Sequence, residues 1–309
     1  MVAIYSLREL SQRSQLIRSA FYVTLASIAF YMSMELIHEK DFARLEYGMY
    51  IYIIINGILL LFAYPLLFLF EKVFGLTSNV ALVELSNTNN ELLKRLSEVE
   101  PGTFQHSMQV ANLATEVANK IGAKALLVRT GALYHDIGKM NSPAYFTENQ
   151  NNFNPHDRIS YEQSAAIVIS HVKDGLKLAD KYNLPQVIKD FISTSHGTGK
   201  ARDFLISYKN QHPDQTVDES IITYPGPNPF TLEQAILMMA DSVEAASRSL
   251  NEYTEESISA LVDKIVDCQV QEGFFKDCPI TFHDITVAKD EFREKLKPIY
   301  HSRISSPEL

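Results

Sequence analysis

The sequence contains no tryptophan and only two cysteines among its 309 residues. Cys268 and Cys278 are too few and too far apart for a Cys-x-x-Cys zinc knuckle or a disulfide framework, so we expect a reducing compartment. An excess of basic residues is also missing, since 28 Lys and Arg stand against 37 Asp and Glu, for a net charge of -9. This balance argues against a surface that coats nucleic acid, and no nucleic-acid partner is expected.

Charge is absent from one long stretch near the N-terminus. Residues 49–70 include no charged side chain, and as a helix they would extend about 33 Å, enough to cross the hydrocarbon core of a bilayer. Residues 16–37 are a second candidate, with Arg18 and Glu35 near the ends, where long side chains reach the interface. We predict transmembrane helices at about 16–37 and 49–70, within a membrane region 1–75. A buried core helix remains an alternative for 16–37.

The flanking charges predict the orientation of these spans. Arg8, Arg13 and Arg18 precede or begin the first span, whereas the short loop between the spans carries more acidic than basic residues. By the positive-inside rule, the N-terminus is cytoplasmic and the chain after residue 75 returns to the cytoplasm. The lipid bilayer is therefore one predicted partner.

The rest of the chain has helical periodicity and no convincing run of alternating strand residues. Residues 76–100 are predicted to form a linker helix, capped by Asn89 or Asn90, that is either a spacer or a transmitter of movement. Ser160 and Thr231 each precede a glutamine at capping-box spacing and are predicted to open helices. The predicted fold is all-α, with two transmembrane helices, the linker and a helical domain at 101–309.

The adjacent imidazole and carboxylate of His135 and Asp136 offer two metal ligands at once. Other histidines and an aspartate fall in or just after predicted helices, and neutral imidazoles with carboxylates suit iron, manganese or zinc. Because a carboxylate can bridge two ions, we place Asp136 between two metals, and Lys139, one turn later, can reach a phosphate oxygen. Asp136 and Lys139 are the predicted catalytic residues. The predicted metal ligands are His106, His135, Asp136, His171, His196 and Asp241.

Each of these residues has a plainer interpretation when taken alone. A single His171 or His196 on an apolar helix is more often a packed or surface residue than a ligand. Asp241 ends an apolar run, where an unpaired carboxylate would be costly to bury, which favours a ligand role. His156 lies in a long loop, 140–159, and is predicted either to contact substrate or to sit in a solvated turn. A second long loop, 197–229, also leaves directly from a candidate ligand.

The order His, His-Asp, His, His, Asp resembles the HD-domain phosphohydrolases, and nearly the whole chain resembles the bacterial seven-transmembrane HD-domain proteins. The stretches that carry the resemblance are EKVFG at 71–75, PGTFQHS at 101–107, RTGALYHDIGK at 129–139, YFTENQ at 145–150, GTGK at 197–200 and MADSVEA at 239–245. The chain looks like a C-terminal fragment of such a protein, because it has two predicted spans where the family has seven.

The resemblance implies hydrolysis of cyclic di-AMP to the linear dinucleotide at two divalent metal ions, usually iron or manganese. It implies a cyclic dinucleotide as substrate and a location in the bacterial inner membrane, with the HD domain in the cytoplasm. Lys139, His156, Thr198 and Lys200 are the expected substrate-binding residues. Whether a second copy of the chain is a partner, as a homodimer, is left open.

One position departs from the family pattern. The family has a pair of histidines before Gly197, where this chain has Ser195 and His196, and serine is a poor ligand for these metals. Two alternatives to the enzyme therefore stay open. One is a degenerate HD domain that binds a cyclic nucleotide without cleaving it, and the other is an HD hydrolase for another nucleotide.

Overall fold

The computed structural model describes residues 14–39, 47–150, 154–201, 204, 206 and 218–301. Arg8, Arg13 and most of the loop between the predicted spans lie outside these residues, as does the middle of the loop predicted at 197–229. The chain divides into two compact units, 1–85 and 86–309. The division falls inside the predicted linker.

The first unit contains two long helices, α1 (Ser14–Glu39) and α2 (Tyr47–Phe74), and a short helix, α3 (Asn79–Leu85). Residues 17–38 of α1 are long and apolar enough to cross a membrane, and the described apolar run of α2, 47–63, is shorter. The two helices pack closely at Gly57, where a Cβ atom would lie 2.3 Å from Thr24 Oγ1. Tyr50 also donates a hydrogen bond to Glu35 Oε2 at 2.8 Å.

The second unit is a helical bundle, which confirms the predicted all-α class. Within the described residues we find no β-strand, and one isolated antiparallel bridge joins Lys200 and Thr223. The helix α5 is central, because it packs against α4, α6, α9 and α11. The helices are α4 (Glu91–Val99), α5 (Pro101–Ile121), α6 (Ala125–Tyr134), α7 (Tyr161–Lys181), α8 (Gln186–Thr194), α9 (Leu232–Ser247), α10 (Glu255–Gln271) and α11 (Phe282–His301).

Several helix ends follow directly from the sequence. The Ser160 and Thr231 capping boxes are both present and open α7 and α9, as predicted. Asn90 Oδ1 accepts from the backbone N–H of Leu92 at 3.1 Å, which confirms the cap on α4. The predicted linker, however, contains two helices, α3 and α4, separated by residues 86–90.

The segment between α6 and α7 contains short 3-10 helices, at Ile137–Asn141, Pro143–Tyr145, Thr147–Asn149 and Pro155–Arg158. The first of these packs against α7 so closely that a Cβ atom on Gly138 would lie 1.9 Å from the carbonyl oxygen of His171. Only glycine permits this approach. It brings the residues just after α6 next to the face of α7 that carries His171.

Candidate metal centre

The bundle brings all six predicted ligands together, although they come from three helices, α5, α7 and α9, and from the ends of two more, α6 and α8. Five of them are buried, and His196 is half-buried. Their ligand atoms form two groups, within each of which the atoms lie within 4.8 Å of one another. The first group is His106, His135 and Asp241, and the second group is Asp136, His171 and His196.

Asp136 lies between the two groups. Its Oδ2 atom is 3.3 Å from His135 Nε2, and its Oδ1 atom is 3.4 Å from His171 Nε2. The two carboxylate oxygens therefore face different groups, which is the arrangement that a bridging carboxylate requires. Asp241 closes the first group, with Oδ1 at 2.9 Å from His106 Nε2 and 3.4 Å from His135 Nε2.

The buried polar atoms at this centre fit a divalent metal. His135 Nε2 and both carboxylate oxygens of Asp136 are buried, and none makes a hydrogen bond of good geometry among the described residues, although Lys139 forms an ion pair with Asp136. Burying such atoms without hydrogen bonds is costly, and metal coordination removes that cost. The donor set of imidazole nitrogens and carboxylate oxygens suits iron, manganese or zinc.

Three of the histidines are oriented by an acceptor on their Nδ1 atom. His135 Nδ1 donates to the carbonyl of Ala132 at 2.7 Å, and His171 Nδ1 donates to the carbonyl of Val168 at 2.6 Å. A carbonyl can only accept, so Nδ1 carries a proton and Nε2 is the nitrogen that remains for a metal. His106 Nδ1 lies 2.5 Å from Glu244 Oε2, which fixes the same tautomer.

Glu244 is a site residue that sequence reasoning missed. It is buried on α9, and its other oxygen, Oε1, accepts from Arg248 Nε at 2.9 Å and from Nη2 at 2.7 Å. The signal was its spacing of three residues from Asp241, which places both carboxylates on one face of α9. The sequence predicts Asp241 and His106 in one centre, but nothing in it indicates that Glu244 contacts the Nδ1 atom of His106.

The charges of the centre are strongly coupled. Burial opposes ionisation of Asp136, but His135 and Lys139 hold the pKa of that carboxyl well below its ordinary value. Burial by itself would lower the pKa of His135, whereas Asp136 and Asp241 raise it to about 10. Without a metal, His135 therefore holds a proton at neutral pH, and a metal that binds there must displace it.

Lys139 lies at the centre but has two acidic partners. Its Nζ atom is 2.7 Å from Asp136 Oδ2 and 2.7 Å from Glu148 Oε1. Burial opposes the charge, yet these two carboxylates raise the pKa of Lys139 well above its ordinary value. Glu148, a second residue that sequence reasoning missed, also accepts from the hydroxyl of Thr103 at 3.0 Å. The role predicted for Lys139 at a phosphate oxygen stays a prediction.

The other predicted substrate residues have different surroundings. His156 Nε2 donates to the carbonyl of Tyr145 at 2.8 Å, and Thr198 donates through its N–H and its hydroxyl to Asn228 Oδ1. Lys200 pairs with Glu219 at 2.5 Å.

A cavity of about 220 Å³ adjoins the second group and is lined in part by His196, Lys200, Ser195, Tyr224 and Phe274. Of the three predicted residues, Lys200 is the one that lines it.

Ser195, the departure from the family pattern, is buried beside His196. Its hydroxyl donates to the carbonyl of Ile192, one turn earlier in α8, at 3.1 Å. The side chain therefore satisfies the end of its own helix and does not belong to either ligand group.

This helical bundle with a paired histidine–aspartate centre matches known families. The family model described as "HD domain" matches residues 103–246, and the model described as "7TM receptor with intracellular HD hydrolase" matches residues 1–78. The chain belongs to the HD-domain proteins of this seven-transmembrane type.

Curated relatives agree with the family models. The cyclic-di-AMP phosphodiesterase PgpH of Listeria monocytogenes is 40% identical over 99% of this chain and 43% of the relative, and that of Bacillus subtilis is 37% identical over 96% and 42%. This chain thus spans less than half the length of these relatives. The crystal structure of the L. monocytogenes PgpH HD domain in complex with cyclic-di-AMP is 45% identical, with a TM-score of 0.65, over 70% of this chain and 99% of that one.

Proposed function

We propose that this chain carries a metal-dependent phosphodiesterase that hydrolyses cyclic di-AMP to the linear dinucleotide. The observation that carries the proposal is the meeting of two ligand groups at Asp136, whose two oxygens face different groups. The substrate is inferred from relatives that are named cyclic-di-AMP phosphodiesterases and from the related HD domain that was crystallised with cyclic-di-AMP.

In this proposal the six predicted ligands hold two divalent ions, with iron or manganese favoured. Two such ions supply an activated water and neutralise charge on the phosphate oxygens. Asp136 spans the two groups, and the acceptors on Nδ1 keep the imidazoles of the first group and of His171 turned inward. Lys139 adds positive charge beside Asp136, where an anionic phosphate would bind.

The proposed setting is the bacterial inner membrane, with the HD domain in the cytoplasm. The apolar helix at residues 17–38 and the seven-transmembrane family match at 1–78 support the membrane assignment. We assign residues 1–75 to the membrane region, 76–100 to the linker and 101–309 to the HD domain. The bilayer and a cyclic dinucleotide are the proposed partners, and homodimer formation stays open.

The test uses the full chain, solubilised in detergent, loaded without oxygen with iron or manganese, and incubated with cyclic di-AMP. Chromatography should detect the linear dinucleotide with the wild-type chain and none with Asp136→Asn. Asp290→Asn is the matched control, because Asp290 is an exposed residue of α11 that pairs with Arg293 and should leave turnover unchanged. Equal turnover by Asp136→Asn would overturn the proposal.

Ser195 supports one alternative function, that of an HD domain that binds a cyclic nucleotide without cleaving it. The second group has three ligands in this chain, and Ser195 adds none to them. The same experiment separates the two functions. Bound cyclic di-AMP without product, together with turnover gained by Ser195→His, would favour this alternative.

A further inference from the structure

His196 differs from the other histidines of the centre in how it is held. The other three each have an acceptor on Nδ1, namely a carbonyl or Glu244. Among the described residues His196 has no such hydrogen bond, and Asp241 Oδ2 lies 3.9 Å from its Nδ1 atom, beyond hydrogen-bond reach. Its Nε2 atom shares a hydrogen bond with His171 Nε2 at 3.2 Å, which a metal bound to these two atoms would replace. With a metal on Nε2, no hydrogen bond among the described residues would orient this imidazole.

Tyr224 occupies the face of that imidazole. The two ring centroids are 4.5 Å apart and the rings are inclined by 31°, close to an offset stack. The Tyr224 ring also meets His171 edge-on, with centroids 6.0 Å apart. A single aromatic side chain thus contacts both imidazoles of the second group.

Tyr224 is itself held in place by two facing chain segments, residues 198–201 and 222–228, which we call the clasp. The Tyr224 N–H donates to the carbonyl of Gly199 at 2.8 Å, and the Ala201 N–H donates to the carbonyl of Ile222 at 2.8 Å. Thr198 closes the clasp by donating twice to Asn228 Oδ1. The clasp begins two residues after His196, so it fixes the position of the Tyr224 ring relative to the His196 imidazole.

We propose that Tyr224 is a positioning residue that orients His196 and thereby sets how tightly the second group holds its ion. The inference rests on the proposed two-metal centre. The ring carries this role and the hydroxyl does not, because the contact that the structure shows is between the two rings. Ser195 cannot substitute, since its hydroxyl is bonded within α8, so the second group depends on His196 for its third ligand.

Removing an outer partner of a metal-binding histidine typically weakens metal binding by about 10–100-fold. Tyr224→Leu removes the ring and keeps an apolar side chain, whereas Tyr224→Phe keeps the ring and removes only the hydroxyl. We expect the leucine variant to lose affinity for one ion by about this factor. The phenylalanine variant should match the wild type, and both variants should retain the other ion.

The experiment loads the detergent-solubilised full chain with Mn²⁺, titrates it with a chelator, and measures the metal retained per chain. Electron paramagnetic resonance of the same samples distinguishes a spin-coupled pair from a single ion. We expect the spectrum of Tyr224→Leu to change from that of a coupled pair to that of a single ion at a low chelator concentration. The wild type and Tyr224→Phe should both need a higher chelator concentration for the same change. Retention equal to wild type in Tyr224→Leu, or equal loss in the two variants, would overturn the inference.

Two controls keep the result interpretable. If Tyr224→Leu does not fold, Asn228→Ala is measured in its place, because this change removes the hydrogen bonds that close the clasp without altering any predicted ligand. Retention of the second ion equal to wild type in Asn228→Ala would then overturn the inference. The wild-type titration tests the proposed function separately. A wild-type chain that never holds two ions contradicts the proposed centre, whereas two wild-type ions that are insensitive to Tyr224 contradict only the role of Tyr224.

Discussion

Glu244 is the acceptor for Nδ1 of His106, as backbone carbonyls are for Nδ1 of His135 and His171. It fixes the tautomer of the imidazole, and Arg248 in turn fixes Glu244 through two hydrogen bonds. Loss of such an outer partner typically weakens metal binding by about 10–100-fold. His106 in the first group is therefore oriented by two side chains, Glu244 and Arg248, and not by an aromatic ring as His196 is.

We predict that Glu244→Ala weakens binding of one ion by about 10–100-fold, because His106 loses the acceptor that orients it. Metal retained per chain during chelator titration measures the change. Glu233→Ala is the matched control on the same helix, since Glu233 accepts from the N–H of Lys124, outside both ligand groups. A Glu244→Ala chain that retains metal like the control would contradict this assignment.

Glu100 is an unusual acid at the junction of α4 and α5. It is fully buried, and neither carboxylate oxygen makes a hydrogen bond of good geometry among the described residues, although Thr103 is close enough to lower its pKa. Burial raises its pKa from an ordinary value of 4.5 to about 7, although nearby Lys139 lowers it. The folded state therefore favours the protonated acid, and its stability falls as the pH rises from 4.5 through about 7.

We expect Glu100→Gln to stabilise the chain by about 1–3 kcal/mol at pH 8, where the wild type must bury a charge, and much less at pH 5. Thermal unfolding of the two proteins at both pH values measures the difference. Glu98→Gln, at an exposed position of α4, should show no such pH dependence. An equal effect of Glu100→Gln at both pH values would rule out the raised pKa as its cause.

At the scale of elements, the 3-10 helix at Ile137–Asn141 sets the distance between Asp136, which it follows, and His171 on α7. It follows Asp136 directly, and Gly138 lets it lie against α7 at the turn that carries His171. A side chain at Gly138 would meet backbone atoms of α7, at 1.9 Å from the His171 carbonyl oxygen and 2.4 Å from the Gly175 nitrogen. Backbone cannot rotate away as a side chain can, so the two elements would have to separate.

Gly138→Ala should therefore destabilise the protein by about 3 kcal/mol and move His171 away from Asp136, with loss of one ion. Thermal unfolding and metal content measure the two effects. Gly175→Ala is the matched comparison across the same contact, because its added Cβ would lie 3.0 Å from Ile192 Cγ2 and 3.4 Å from the nearest backbone atom of Gly138, so a smaller loss is expected. A Gly138→Ala chain with wild-type stability and metal content would show that the close approach is unnecessary.

The sequence predicted elements where the signal is local. The capping boxes at Ser160 and Thr231 and the Asn90 cap depend on residues within three positions, and all three are present. The predicted linker helix was less accurate, because a break between α3 and α4 depends on packing as well as periodicity. The long loop after α6 also contains short 3-10 helices that polar, irregular sequence does not reveal.

At the scale of the whole molecule, the six predicted ligands were identified from the sequence and their outer partners were not. The six residues stand out by residue type and order, and the structure brings all six together, while their role as ligands stays a prediction. Glu244 and Tyr224 act only through contacts between segments that are far apart in the chain, 138 residues in the case of Glu244 and His106. Glutamate and tyrosine are also common on helices and loops, so their residue types carry little information alone.

The central claim is that two ligand groups, joined by Asp136, bind two divalent ions. The most direct test is the manganese content of the full wild-type chain and of Asp136→Asn, with the resonance spectrum of each. We predict about two ions per wild-type chain, coupled as a pair, and at most one uncoupled ion in Asp136→Asn. A single ion in the wild type, or a coupled pair that survives in Asp136→Asn, would contradict the account.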